Sequence, residues 1–135
     1  MKKIVIIILL IIGTLITMFV LYNKFLGYKS VIKENFGIDF NNIELQKLKE
    51  NEEWSPNGDG TKIQIFQYKT LNETLNGLNK LPIKEELTPN EIPKEFIRAT
   101  KGYYKCIIDK QDNRNFNVLI IDTLNKKICV YYQIM

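Results

Sequence analysis

The sequence contains no histidine and only two cysteines, and both scarcities restrict its chemistry. Histidine is the commonest general base, the commonest protein metal ligand and the usual proton switch near neutral pH. Hydrolases built on a Ser-His-Asp or Cys-His arrangement are therefore excluded. Two cysteines without histidine also fall short of a tetrahedral zinc site. No catalytic, cofactor-binding or metal-binding residue is predicted.

The positive charge of the chain lies at its amino-terminal end. The net charge is +4, with 19 basic and 15 acidic residues. All acidic residues follow Ser30, whereas four basic residues precede it: Lys2, Lys3, Lys24 and Lys29. Basic and acidic residues therefore balance after Ser30. Nucleic-acid binding, which relies on a clustered basic face, is not predicted.

A long uncharged apolar run extends from Ile4 to Tyr22. At about 1.5 Å per residue, a helix of this length spans roughly 28 Å, close to the thickness of a bilayer core. The run predicts an uncleaved, single-pass signal-anchor in the cell membrane, with the lipid bilayer as its partner. A cleaved secretory signal is the alternative, but its apolar region is normally shorter and ends at a pair of small residues. The short leading tail with Lys2 and Lys3 favours an extracytoplasmic domain.

Residues 1–29 are thus interpreted as the anchor with its juxtamembrane segment, and residues 30–135 as one small α+β domain. The pattern predicts an antiparallel sheet of about five strands with one or two helices packed on one face. The expected strands are 43–49, 62–68, 103–109, Phe116–Asp122 and Lys127–Ile134. A change of parity between Ile65 and Phe66 indicates a β-bulge in the second of these strands.

Helix signals lie at three places in the domain. The anchor helix is expected to continue to Asn35 and to end at Gly37. Thr70 and Glu73 resemble a capping box for a short helix that carries Leu71, Leu75 and Leu78. Pro93 is typical of the first position of a second short helix, with Phe96 and Ile97.

The predicted middle strand, Phe116–Asp122, is apolar on both faces after Asn117. Such a strand requires cover on each side. The predicted leucine helix supplies one cover, and a partner protein is a hypothesis for the other. In this meander Cys106 lies opposite Val118 and Cys129 opposite Ile120. The middle strand then separates the two thiols by more than a disulfide allows, so two buried free thiols are predicted.

Three groups of residues resemble functional sites, and each has a simpler structural interpretation. Ser55, Asn57 and Asp59 resemble the opening of a calcium loop, but Phe66 stands where a closing Glu is needed, which favours a plain turn. Five aromatic residues suggest a sugar or peptide groove or ordinary packing: Trp54, Tyr103, Tyr104, Tyr131 and Tyr132. Two acidic pairs, Glu52 with Glu53 and Glu85 with Glu86, are interpreted as solvated residues of polar loops.

A series of short motifs spans most of residues 57–132. They are Gly58-Asp59-Gly60, Leu81-Pro82, Gly102-Tyr103-Tyr104, Asn115-Phe116 through Ile121-Asp122, and Tyr131-Tyr132. In this order they resemble a family of small uncharacterised bacterial membrane-anchored proteins. The chain lacks that pattern's histidines and glycines before Gly58 and its Trp before Leu81. The resemblance implies the architecture and no activity.

The sequence therefore favours a membrane-anchored, non-enzymatic binding or accessory module at the bacterial cell envelope, with a protein or peptide partner. The alternative is an inhibitor or immunity-type protein that occludes a toxin or hydrolase. An enzyme based on carboxylates or tyrosine is a third class, which requires a cleft with a strongly perturbed acid.

The anchor prediction is tested by alkaline carbonate extraction of membranes that contain the full-length protein. We expect the protein to stay with the lipid pellet, because residues 4–22 bury only apolar surface in the bilayer. Release into the supernatant would contradict the anchor. A mature amino terminus downstream of Tyr22 would instead identify a cleaved signal.

Overall fold

The computed structural model describes residues 2–71 and 75–135. The helices and strands follow one another in the order α1 (Lys2–Phe36), β1 (Leu45–Trp54), β2 (Gly60–Tyr68), β3 (Asn79–Lys80), a 3₁₀ helix (Glu85–Leu87), α2 (Lys94–Ile97), β4 (Gly102–Ile108), β5 (Phe116–Asp122) and β6 (Lys127–Ile134).

Within the described residues, one antiparallel sheet contains six strands in the order β1-β2-β6-β5-β4-β3. The predicted α+β class and antiparallel pairing are confirmed, with one strand more than expected. The predicted bounds of β5 and β6 are also confirmed. The additional strand, β3, is a two-residue edge that pairs with Tyr103 and Tyr104 of β4. The opposite edge, β1, is mostly exposed and charged, a composition that discourages pairing with other chains.

One face of the sheet, here called the helix face, packs against the last turns of α1. Ile32 and Phe36 are buried there, and the Tyr28 ring stacks on Phe66 of β2 with ring centroids 4.9 Å apart. The backbone N–H of Gly37, at φ +70°, donates to the Lys33 carbonyl oxygen over 2.8 Å, so the predicted helix end is confirmed. Helix α1 therefore continues through residue 30 and supplies the main cover of this face.

The helix predicted across Leu71, Leu75 and Leu78 is wrong for residues 75–80, which form a turn followed by β3. The turn contains Asn76-Gly77, and Gly77 has a φ of +75°, a conformation that interrupts a helix. Residues 72–74, with Glu73 of the predicted capping box, lie outside the described residues. The three leucines nevertheless pack against the core of the helix face, as the prediction of a cover required.

The other face of the sheet, here called the loop face, is covered by residues 81–99. Ile83, Ile92 and Phe96 are buried against it, and α2 begins at Lys94, one residue after the predicted start at Pro93. The expected arrangement of one or two helices on one face is corrected, because α2 packs on this face and α1 packs on the other. Residues 118–121 of β5 alternate between the two faces and are fully buried. The hypothesis that a partner covers one face of β5 is therefore also wrong, since this chain covers both.

The predicted bulge lies in the neighbouring strand. The pairing of β1 with β2 shifts register between Lys47 and Lys49, whereas the pairing of β2 with β6 is regular. The change of parity in β2 arises because both of its faces are buried. Ile63 and Ile65 face the loop side, and Phe66 faces the helix side. The predicted bulge was therefore assigned to β2, whereas it lies in the neighbouring strand β1.

The two cysteines occupy the predicted positions. Cys106 pairs with Val118 and Cys129 with Ile120, and both thiols are free in the described chain. Cys129 is fully buried, but Cys106 is only half-buried, because β3 ends before reaching it on the outer side of β4. Burial raises the pKa of both thiols, which disfavours the reactive thiolate.

The amino-terminal part of α1 is a possible membrane span. In the part of the chain that the structure describes, no single helix combines the length and apolar composition of a span. Two halves of α1, Ile6–Tyr22 and Gly27–Phe36, meet at a bend of 40° and satisfy these criteria together. The membrane anchor stays a prediction.

The substitution Phe36→Ala should lower the free energy of unfolding by about 3–5 kcal/mol, because it opens a cavity in a fully buried contact with Tyr132. Urea unfolding of the full-length protein in detergent micelles measures the change. Leu124→Ala, at an exposed turn position, is the control and should stay within about 0.5 kcal/mol of the parent protein. Equal losses in both variants would contradict this packing of α1.

Candidate functional site

A groove of about 910 Å³ lies between α1 and the part of the helix face that α1 leaves uncovered. Its size is within the range of pockets that enclose a ligand. One wall is the helix, through Gly27, Tyr28, Val31 and Asn35, and the outer rim contains Trp54, Asn115 and Ile134. The groove lies beside the helix, because α1 packs over Phe66 and leaves Lys62, Asn117 and Ile107 along its flank.

The floor of the groove is a row of paired residues that crosses four strands. Lys62 of β2 pairs with Tyr132 of β6, Tyr132 pairs with Asn117 of β5, and Asn117 pairs with Ile107 of β4. Residues paired across strands point to the same face, which explains why side chains distant in sequence meet here. The backbone groups beneath are engaged in the sheet, so a ligand meets side chains.

The helix wall is fixed to the sheet by polar contacts as well as by the core. The Asn117 side-chain amide donates to Asn35 Oδ1 over 3.1 Å, and Asn35 in turn donates to the Val31 carbonyl oxygen over 2.9 Å. The Lys105 ammonium donates to the Phe36 carbonyl oxygen over 2.8 Å at the end of α1. A cation at this end also interacts favourably with the helix dipole. The groove is thus preformed.

A chain of charges occupies the end of the groove nearest β1. Glu50 forms ion pairs with Lys47 and Lys62 and accepts a hydrogen bond of 2.9 Å from the Gln64 amide, while Lys62 also pairs with Glu52. Burial raises the pKa of Glu50, but the hydrogen bonds from Lys47 and Gln64 and the charge of Lys62 outweigh it, and the pKa is about 2. Burial lowers the pKa of Lys62, but Glu52 and Glu50 outweigh it and raise the pKa. These charges therefore stay fixed and mutually compensated near neutral pH.

The hydroxyl group of Tyr132 is the polar atom of the groove that the protein leaves unsatisfied. Tyr132 is 7% exposed, and its hydroxyl has no hydrogen-bond partner among the described residues. Burial raises the pKa of the phenol, so the group stays a neutral donor. A buried hydroxyl without a partner costs about 1–3 kcal/mol. The hydroxyl oxygen has no contact with solvent, so it lies beneath the surface of the groove and out of reach of a ligand in it.

Trp54 forms the rim because residue 60 is glycine. A Cβ atom at Gly60 would lie 2.5 Å from Cε3 of the Trp54 ring and 2.2 Å from the Glu53 carbonyl oxygen. The indole ring therefore rests directly on the backbone at Gly60, while Trp54 is still 48% exposed. A half-exposed aromatic ring at the edge of a groove provides contact area at a small entropic cost.

The structure brings only part of the predicted aromatic set together. Trp54 and Tyr132 both line the groove, whereas Tyr104 and Tyr131 belong to the core of the loop face. Tyr103 lies on β4 with its backbone paired to Lys80 of β3. Ordinary packing, the interpretation that the sequence favoured, therefore holds for Tyr104 and Tyr131, whose side chains point to the face opposite the groove.

The other candidate residues occupy ordinary structural positions. Ser55, Asn57 and Asp59 form the turn between β1 and β2, where the Asn57 amide donates to Asp59 Oδ2 over 2.7 Å and the Ser55 hydroxyl to the Asp59 carbonyl oxygen over 2.9 Å. In residues 2–71 and 75–135 no group of three or more His, Cys, Asp or Glu residues has the arrangement of a metal site.

The two acidic pairs lie in regular structure, whereas the sequence had placed them in polar loops. Glu52 and Glu53 lie on strand β1, and Glu85 and Glu86 lie in or beside the 3₁₀ helix, so neither pair belongs to an irregular loop. On β1 the two side chains alternate, and Glu52 joins the charge chain of the groove through Lys62.

Sequence reasoning did not select Asn117, Gln64 or Tyr28 as site residues. The sequence does indicate Asn117 and Gln64, because each of these amide side chains interrupts an apolar stretch of a central strand. Gln64 stands between Ile63 and Ile65 and is 4% exposed, and Asn117 precedes the apolar run of β5. Tyr28 had been interpreted as part of the juxtamembrane segment, and nothing in the sequence indicates that its ring contacts Phe66.

Comparison with models of protein families, with curated proteins and with solved structures finds no match for this chain. The resemblance to small bacterial membrane-anchored proteins therefore stays a prediction, and the groove is interpreted from its own geometry.

The ion pairs of Glu50 predict a specific acid dependence of stability. The folded-state pKa lies below the ordinary value of 4.5, so the stabilisation is fully present above about pH 4.5 and is lost as the pH falls toward about 2. Glu50→Gln should therefore flatten the fall in the urea midpoint across this interval. Glu44→Gln is the control, because Glu44 pairs with Lys69 on the open surface and should behave as the parent protein. Identical acid profiles for Glu50→Gln and the parent would refute the assignment.

Proposed function

We propose that this chain is a single-pass membrane-anchored, non-enzymatic binding module of the bacterial cell envelope, and that its groove receives a protein or peptide partner. The observation that carries the proposal is the preformed groove, which combines apolar side chains with the side-chain amides of Asn117 and Gln64. Preformed concave sites with a few convergent polar groups are the usual location of ligand binding.

The exposure of α1 supports the membrane anchor. The large apolar side chains described between residues 4 and 22 are 47% to 70% exposed, so they make little contact with the domain. An apolar surface of this length is unfavourable in water, and lipid removes it from water while the helix satisfies its own backbone. The excess of basic residues at the amino-terminal end fits a position beside lipid headgroups.

The position of the groove follows from the same helix. Gly27 lines the groove five residues after Tyr22, which corresponds to roughly 8 Å along a helix. The groove would then lie close to the bilayer surface, where a partner anchored in the same membrane is concentrated. An extracytoplasmic position of the domain remains part of this proposal, on the basis of the short basic leading tail.

The electrostatics of the groove favour binding over catalysis. A general acid or base works best with a pKa near the operating pH. Glu50 has a pKa of about 2, and Lys62 has a raised pKa, so both are poorly matched to proton transfer near neutral pH. Their arrangement in ion pairs is typical of structural support.

Photo-crosslinking in cells tests the proposal. A photoreactive phenylalanine analogue at position 54 lies on the rim of the groove, and the same analogue at position 124 lies in the turn between β5 and β6. We expect position 54 to form a defined adduct with another polypeptide that position 124 does not form. Adducts common to both positions, or none at position 54, would contradict a groove-specific partner.

The identity of the adduct also separates the two functional hypotheses. A toxin or hydrolase in the adduct would support the inhibitor alternative, and deletion of the protein should then sensitise cells to that molecule. An envelope protein without such an activity supports the accessory role.

A further inference from the structure

We infer that the outer edge of β4, beyond the end of β3, is a docking site for an extended segment of another polypeptide, which adds to the sheet as a further strand. The site consists of Cys106, Ile107 and Ile108 and is here called the open edge. The inference goes beyond the groove, and it rests on the proposed membrane anchor only where it excludes a second copy of this chain.

The open edge presents unpaired backbone groups. The Leu81 N–H donates to the Gly102 carbonyl oxygen over 3.1 Å, so the backbone groups of Gly102 point outward, away from β5. Because these directions alternate along a strand, Cys106 and Ile108 also direct their N–H and C=O groups outward. Among the described residues, β3 pairs no further along β4 than Tyr104, and no other strand lies on this side.

The side chains of the open edge are uncharged and incompletely buried. Ile108 is 51% exposed, and Cys106 and Ile107 are half-buried. The Lys105 ammonium does not protect the edge, because it is turned onto the helix face and donates to the Phe36 carbonyl oxygen over 2.8 Å. Water can bind the unpaired backbone groups, but it leaves the apolar side chains uncovered. An added strand satisfies the backbone and covers the side chains together.

The opposite edge of the sheet has the protection that the open edge lacks. Strand β1 shifts register between Lys47 and Lys49, and it carries five charged residues: Lys47, Lys49, Glu50, Glu52 and Glu53. Charged side chains and bulges are the usual means by which proteins prevent strand addition. The difference between the two edges of one sheet indicates that β4 is left available for pairing.

The backbone pattern defines the class of ligand. Cys106 and Ile108 each direct a donor and an acceptor outward, and an extended polypeptide repeats matching groups every two residues, or roughly 6.6 Å. A lipid or a glycan has no such repeat. The segment should be uncharged beside Ile107 and Ile108, because a charge there would lose water without gaining a partner.

The path of α1 excludes a second anchored copy as the ligand. Tyr28 stacks on Phe66 of β2, whereas Asn35 accepts a hydrogen bond from Asn117 of β5, so the helix crosses the sheet in the direction of β4. Residues 4–22 therefore extend from the β1 side, and the bend of 40° in α1 does not reverse this direction. Two copies joined through β4 would have these segments at opposite ends of the combined sheet, where they could not enter one bilayer. A different polypeptide is therefore the ligand.

Site-specific crosslinking in cells tests the inference on the full-length protein. A diazirine analogue of leucine is placed at position 106 or 108, and the crosslinked residue of the partner is located by mass spectrometry. We expect both positions to react with the same polypeptide at residues two apart, because an added strand keeps its register with β4. Position 48, an exposed leucine of β1, is the matched edge control and should give no such adduct.

Two variants of one residue test the backbone contact. Ile108→Pro removes the outward N–H, and edge strands tolerate proline where the N–H faces away from the sheet. The adduct yield at position 106 should fall about five- to tenfold, the effect of one lost hydrogen bond. Ile108→Val keeps the N–H and should leave the yield unchanged. The register of the adducts is measured without the proline, so it decides the inference even if Ile108→Pro fails to fold.

Each contrary outcome overturns a defined part of the inference. Adducts with a second copy of this chain would refute the exclusion of that ligand. Adducts at unrelated residues, or an unchanged yield in folded Ile108→Pro, would refute strand addition. Absence of adducts at positions 106 and 108 would refute the docking site itself, whereas the proposed function would still be decided separately by the adduct at position 54.

Discussion

The packing of the last turns of α1 on the helix face is the interaction on which the rest of the structure depends. Tyr28, Ile32 and Phe36 bury the apolar side chains of β2, β5 and β6, which would otherwise face water. Because the same helix continues from the apolar segment, this contact also joins residues 4–22 to the domain through helical backbone. Finally, it covers only part of the sheet, and the uncovered part is the groove.

The sequence predicted those parts of the fold whose signals are local. Strands β5 and β6 were found because apolar runs are separated by short polar connections, and α2 because Pro93 marks its start. The leucine helix was predicted wrongly for residues 75–80, because the spacing of Leu71, Leu75 and Leu78 suits a helix but does not require one. Asn76-Gly77 decided the outcome through a left-handed residue. The covers of the sheet depend on long-range packing, which periodicity does not encode.

For the same reason, the sequence predicted only some of the residues that form the candidate site. Trp54 and Tyr132 were included in an aromatic set, but the sequence could not show which tyrosines share a face until the register of β2, β5 and β6 was known. Asn117 and Gln64 carried a real signal as polar residues in buried strands, since such residues require partners. For Gln64 the partner is Glu50, and for Asn117 it is Asn35, a residue of the helix 82 positions away.

The compensated charges of the groove have a consequence for the surroundings in which the protein operates. The chain contains no histidine, and Glu50 stays negatively charged while Lys62 stays positively charged. The charges of these two groove residues are therefore constant from about pH 5 to 8. Mild acidification of the surroundings would therefore leave the charges of Glu50 and Lys62 unaltered. Added salt would likewise have little long-range attraction to screen. The shape and the hydrogen-bonding groups of the groove are thus set independently of the salt concentration and of mild acidity.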